Sequence, residues 1–181
     1  GGGLDAHDGP EAKKSAAGFV DPQAIYSWGS VEVTWRPIPP TFSQARGIPL
    51  DLLVHPRKES CTWLASKITL EAKKTIIVRL AATGTARLVV DGVDVDKSDD
   101  VHEASRFDRL AARLEGASAG PHVIAAKVCT GALEDNGRVR FRVTDEKHQP
   151  LKVAASADLS LKPGEDIASW GKAKPTKIVT P

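Results

Sequence analysis

Methionine is absent from all 181 residues, and the chain opens on Gly1-Gly2-Gly3. With no initiator, and with a start that looks like a cleavage scar or a linker, the segment reads as a piece of a longer polypeptide. Cysteine is nearly absent too: Cys61 and Cys129 are too few for a disulfide scaffold or a four-ligand zinc site. A bridge between them would imply an oxidising compartment, and two buried thiols acting as small apolar side chains are the alternative. No apolar run approaches the roughly 18 residues of a membrane-spanning helix, because charged residues interrupt every stretch. The 25 basic and 23 acidic residues leave a formal charge of only +2, and aromatics make up 5% of the chain. Neither value suits a nucleic-acid binder. What is present, 41% hydrophobic and 27% charged residues, is a globular composition. A chain of this length suits one domain with tails that buries roughly 70% of its unfolded surface.

Residues 1–20 are rich in Gly, Ala, Asp, Lys and Pro, with little apolar periodicity, and predict a flexible leader. Residues 161–181 carry Pro163, Gly164, Pro175 and Pro181 among lysines and predict a C-terminal linker, with Trp170 as the exception that ought to dock on something. The folded domain is expected over residues 21–160. Its dominant signal is period two, the mark of half-exposed strands. Val31, Val33 and Trp35 alternate with polar residues; 61–70 and 75–82 are strand-like; and Arg138, Arg140 and Arg142 alternate with Val139, Phe141 and Val143. The clearest local signal is Asp91-Gly92 between apolar alternations, because a two-residue hairpin turn of that type needs positive φ at both positions. Within 104–115, Phe107, Leu110, Ala111 and Leu114 fit a helical stripe, while Leu110, Ala112 and Leu114 fit a strand. Short strands with turn signals at this spacing predict an all-β fold, a β-sandwich or barrel.

Over residues 60–155 the order of pieces resembles the galactose-binding-like jelly-roll domains of large bacterial proteins. Thr62-Trp63-Leu64-Ala65, Ile76-Ile77-Val78-Arg79-Leu80 and Leu88-Val89-Val90-Asp91-Gly92 stand for the family's first strands and hairpin. Gly120-Pro121-His122 leading into Val123-Ile124-Ala125-Ala126-Lys127-Val128, and Asp145 leading to Pro150-Leu151, stand for its later ones. His122 replaces the usual Asn, and Gln149 the usual Gly. The resemblance implies an all-β, antiparallel two-sheet β-sandwich of jelly-roll type, an accessory domain of a periplasmic or cell-surface protein, and none of its motifs is catalytic.

Gly116-Ala117-Ser118-Ala119-Gly120 matches Gly-x-Ser-x-Gly, with Asp145 and His148 following in hydrolase order. A nucleophile elbow needs a helix after the serine, and Gly120-Pro121 with a β-branched run follows instead. Asp91, Asp94 and Asp96, joined by Asp99, Asp100 and Glu103, could supply oxygens to Ca²⁺, the one cofactor the residues suggest, although the spacing misses the EF-hand pattern. His7, His55, His102, His122 and His148 are isolated and predict no zinc centre. Nothing in the sequence brings Asp108 and Asp135 together as an acid and base pair.

Trp28, Trp35 and Trp63 fall in or near predicted strands, where such residues mostly fill the core. Exposed, they would stack on the apolar face of a sugar ring. The row Arg138, Arg140 and Arg142 would repel itself unless an acidic partner, a phosphate or solvent accommodates it. Resemblance, tryptophans and arginines together lead to the expectation of a non-catalytic recognition module for glycan or cell-envelope polymer. The competing expectation is a module that docks on neighbouring domains or protein partners. The first calls for a groove with an exposed Trp and converging polar groups; the second calls for a flatter apolar patch.

Overall fold

A computed structural model describes residues 3–7, 9–12, 21–42, 47–54, 60–102, 108–130, 137–159 and 174–179, without the side chains of Ala12, Trp28, Pro40 and His102. The chain forms two antiparallel five-stranded sheets and a separate two-stranded ribbon, the all-β sandwich expected from its period-two runs. The ribbon pairs β1 (Ile25–Trp28) with β2 (Val31–Thr34). The first sheet is ordered β12-β8-β5-β10-β3 and the second β11-β4-β9-β6-β7. Their strands are β3 (Ile48–Pro49), β4 (Ser60–Leu70), β5 (Lys74–Ala82), β6 (Gly84–Val90), β7 (Val93–His102), β8 (Leu110–Ala117), β9 (Gly120–Thr130), β10 (Arg138–Thr144), β11 (Ala154–Ser156) and β12 (Pro175–Lys177). One helical turn, α1 (Leu50–Leu53), closes an end of the core with buried Leu50.

Alternate side chains fill the space between the sheets. Ile76, Val78, Leu80 and Ala82 of β5 and Val139 of β10 meet Leu64 and Ile68 of β4, Leu88 and Val90 of β6, and Ile124 and Val128 of β9. Arg138, Arg140 and Arg142 lie on the opposite side of β10 from Val139, Phe141 and Val143, as the alternation predicts. The ambiguous run resolves as strand. Leu110, Ala112 and Leu114 of β8 point into the core in register with β5, a placement a helical stripe could not give.

Two backbone features set the topology. Asp91 and Gly92 have φ of 49° and 76°, so the hairpin turn is the positive-φ type its sequence demands. Between β5 and β6 the chain leaves one sheet for the other through Thr83 alone, and Gly84 makes this step at φ 68°. A Cβ on Gly84 would lie 2.1 Å from the carbonyl oxygen of Cys129, so only glycine fits. Arg109, just before β8, stitches this corner by donating to the carbonyls of Ala82, Gly84 and Asp100 and, at 2.9 Å, to Ser98 Oγ.

At both ends the structure differs from the expected tails. Residues 3–7 and 9–12 pack on the outer face of the second sheet, with Leu4 and Glu11 buried. Pro175–Lys177 forms an edge strand on β8, a position where a proline costs no ladder bond that matters. Residues 13–20 and 160–173, Trp170 among them, lie outside the described residues.

Candidate functional site

The outer face of the second sheet carries Cys61, Trp63 and Ala65 from β4, Val123, Ala125, Lys127 and Cys129 from β9, and Arg87 and Val89 from β6. Cys61 and Cys129 are register partners and form a disulfide, which removes the two-thiol alternative. Val89, Val123 and Ala125 make a small second core with Trp35, Trp63, Ala65 and Leu159. Trp35 and Trp63 are therefore half-buried outside the sandwich, a correction to the expectation that they fill its centre. The reason is parity: residue 63 shares the outward face with 61 and 65, while Leu64 and Ile68 point inward.

Both indoles are engaged. Trp35 donates to Tyr26 Oη at 3.3 Å, and burial raises the Tyr26 hydroxyl above its ordinary pKa. Trp63 donates to Glu11 Oε2 at 3.0 Å. The other oxygen of Glu11 accepts from Lys127 Nζ at 2.5 Å, and Lys127 also donates to the Ala6 carbonyl at 2.6 Å. The Lys127 and Glu11 side chains are 4% and 3% exposed, so this is a buried ion pair with its hydrogen bonds met. Nearby, Asp5 takes Arg87 at 2.5 Å and Lys97 at 3.1 Å. The hydrogen bond from Lys97 holds the Asp5 carboxyl below its usual range and raises Lys97 in turn. Gly9 lies flat on Trp63, where a Cβ would come within 3.4 Å of the indole nitrogen.

The first sheet also has a charged outer face. Arg79 of β5 and Arg142 of β10 are register partners, and one carboxylate, Asp108, accepts from both. The hydrogen bond to Asp108 raises Arg142, which answers the repulsion expected along the arginine row at this position. Arg138 and Arg140 lie on the same face and have partners of their own. Arg79 also meets His148 Nδ1 at 2.5 Å; a guanidinium only donates, so Nδ1 is the acceptor of this contact.

The three candidate metal ligands are not brought together. A bulge opposite Leu88 turns both Val95 and Asp96 to the inner side, which sends Asp94 and Asp96 to opposite faces despite their spacing of two. Asp94 pairs with Arg87 at 3.4 Å, and Asp96 with Lys177 of β12 at 2.6 Å. Asp91 is buried at the hairpin turn, where it accepts from Val123 N at 2.8 Å and meets His122 Nδ1 at 2.7 Å. Among the described residues no cluster of His, Cys, Asp or Glu has a metal-binding arrangement. The Ser118, Asp145 and His148 set does not assemble either. The Ser118 carbonyl faces His122, Asp145 accepts from the amides of Lys147 and Gln149 in its own turn, and His148 meets Arg79.

A cavity of about 230 Å³ opens beside β7, β8 and β12, lined by Asp96, Ser98, Arg109 and Lys177 with no aromatic ring. It is smaller than typical ligand pockets of roughly 300–1,000 Å³. Exposed apolar side chains cluster on the ribbon, at Ile25, Val31 and Val33, and stand singly at Leu52, Val93, Val101 and Val179. Among the described residues no helix is long and apolar enough to cross a membrane. His55, Glu103, Phe107 and Asp135, and the side chains of Trp28 and His102, lie outside the description.

Sequence reasoning missed Glu11, Asp5, Arg79 and Arg109, and weighed Asp108 only beside Asp135 rather than as a partner of the arginines. One signal was available: Lys127 and Arg79 interrupt apolar strand runs on both sides, and a cation so placed needs a carboxylate. No protein-family model matches the sequence, and no curated protein is significantly similar to it.

Proposed function

We propose that this chain is a non-catalytic interaction module of a larger protein, docking on neighbouring domains or protein partners in an oxidising compartment. The observation that carries the reading is the ribbon. A two-stranded sheet outside both layers of a sandwich is marginal in water on its own. This one holds Ile25, Val31 and Val33 exposed on both of its faces. Apolar side chains kept in water on a ribbon outside both sheets suit a contact surface. The disulfide supports an extracytoplasmic setting, since such bonds persist in oxidising compartments. The accessory role agrees with the resemblance to galactose-binding-like domains, which is itself part of the proposal.

Glycan recognition fits less well. It calls for an open aromatic platform, and both described candidate indoles are packed with their N–H groups engaged. Arg142, offered as a sugar-contacting group, is held by Asp108. A glycan array decides between the two readings. The docking module binds no glycan above background; saturable binding that disappears in folded Trp35→Ala or Trp63→Ala variants would replace it with the glycan module.

A further inference from the structure

We propose that the outer face of the second sheet is a recognition site for an acidic peptide, and that the N-terminal segment is the ligand it holds in cis. The inference rests on the docking reading and names the class of partner. Its basis is the direction of dependence between sheet and segment. The two acceptors on Lys127 Nζ, the Glu11 carboxylate and the Ala6 carbonyl, both come from the segment, and so does the carboxylate on the Trp63 indole. Arg87 and Lys97 add a second carboxylate subsite, filled by Asp5. Leu4 of the same segment is buried. The sheet thus supplies three cations and an indole donor, and the segment supplies an apolar side chain and two acids, six residues apart, with chemistry that complements them.

The sheet side belongs to the disulfide-linked pair of strands and is fixed by long ladders of β4, β9 and β6. The segment adds no strand to that sheet. Its polar contacts to the sheet include side chains and the Ala6 carbonyl. A ligand carried on the same chain competes with free peptide through its effective concentration, and it yields when the free peptide is abundant enough. A peptide carrying Leu-Asp and a Glu six residues after the Asp, from another chain or a second copy of this one, offers the same set of groups.

The test uses the full chain and a labelled peptide with the sequence of residues 3–12. The variant Leu4→Ala/Asp5→Asn/Glu11→Gln releases the cis ligand and should bind the peptide at least about tenfold more tightly than wild type. A peptide with Gln in place of Glu11 should lose that binding. A folded variant that ignores the peptide, or takes the Gln peptide equally well, overturns the proposal. Isotope-labelled wild type gives a readout independent of the variant's folding. At about millimolar unlabelled peptide, NMR signals of residues 4–7 and 9–11 should move while those of β4 and β6 core residues stay, and unmoved segment signals overturn the proposal. A blank peptide titration beside a blank glycan array ends this inference alone, whereas tryptophan-dependent glycan binding ends the reading beneath it.

Discussion

On the outer face of the first sheet, buried Arg79 meets Asp108, 29 residues away along the chain; on the second, buried Lys127 meets Glu11, 116 residues away. Each face places a cation inside an apolar strand, and each answers it with a carboxylate from a segment that is not a strand. The difference lies in attachment. Asp108 sits two residues before β8, while Glu11 belongs to a segment that joins no strand of the sheet and meets it through side chains and the Ala6 carbonyl. A charge pair whose carboxylate adjoins a core strand can be broken only by leaving a buried ion behind. A charge pair on a detachable segment can come apart with water replacing the lost partner.

The largest effect expected is on the second face. Replacing Cys61 and Cys129 by alanine, or reducing the bridge, should lower unfolding free energy by about 4 kcal/mol in the chain-entropy model. Denaturant titration with and without strong reductant reads this directly, and an unchanged midpoint would contradict it. Next comes Asp108→Asn, expected to cost about 3 kcal/mol. That is the low end for a broken buried pair, because the Asp108 side chain is 20% exposed. Glu11→Gln should cost less, about 1.5 kcal/mol, although Glu11 is the more deeply buried of the two, because the segment lifts and Lys127 reaches water. Should the order of these two variants reverse in parallel unfolding experiments, the contrast between fixed and detachable segments fails.

The smallest effect concerns His122, which is fully buried between Asp91 of the β6–β7 turn and the Ser118 carbonyl. Ile68 of β4 is its register partner and carries no charge. Both polar neighbours are acceptors, so both ring nitrogens must carry protons, and the ring is an imidazolium. Burial opposes the charged form, but the Asp91 hydrogen bond and charge, with the Ser118 carbonyl, outweigh it and raise the pKa above its ordinary 6.5. The contribution to stability is therefore fully present below about pH 6.5 and declines as pH rises through the higher folded value. A His122→Gln variant should lack this alkaline decline in a series of melting curves, and an identical pH profile would refute the assignment.

Much of this architecture was legible locally. Asp91-Gly92 specified its turn by conformational need, the arginine row on β10 took the outward side that period two assigned it, and the 110–117 run became a strand once β5 lay beside it. What stayed hidden depended on long-range or irregular geometry. The bulge at Val95 and Asp96 inverted one residue's face without any glycine to announce it. Trp63 read as core because an aromatic on a strand usually is, and its parity with Cys61 was the overlooked clue. The segment carrying Asp5 and Glu11 had no periodicity at all, since its place is set by single side chains meeting cations more than 80 residues away.

Acetylation of lysines under native conditions, read residue by residue by mass spectrometry, tests the covered second face most directly. Wild-type Lys127 should react far more slowly than the half-exposed Lys97, and Glu11→Gln should speed its reaction while the β-sheet circular dichroism stays unchanged. Equal reactivity of Lys127 and Lys97 in the wild-type chain would contradict the account.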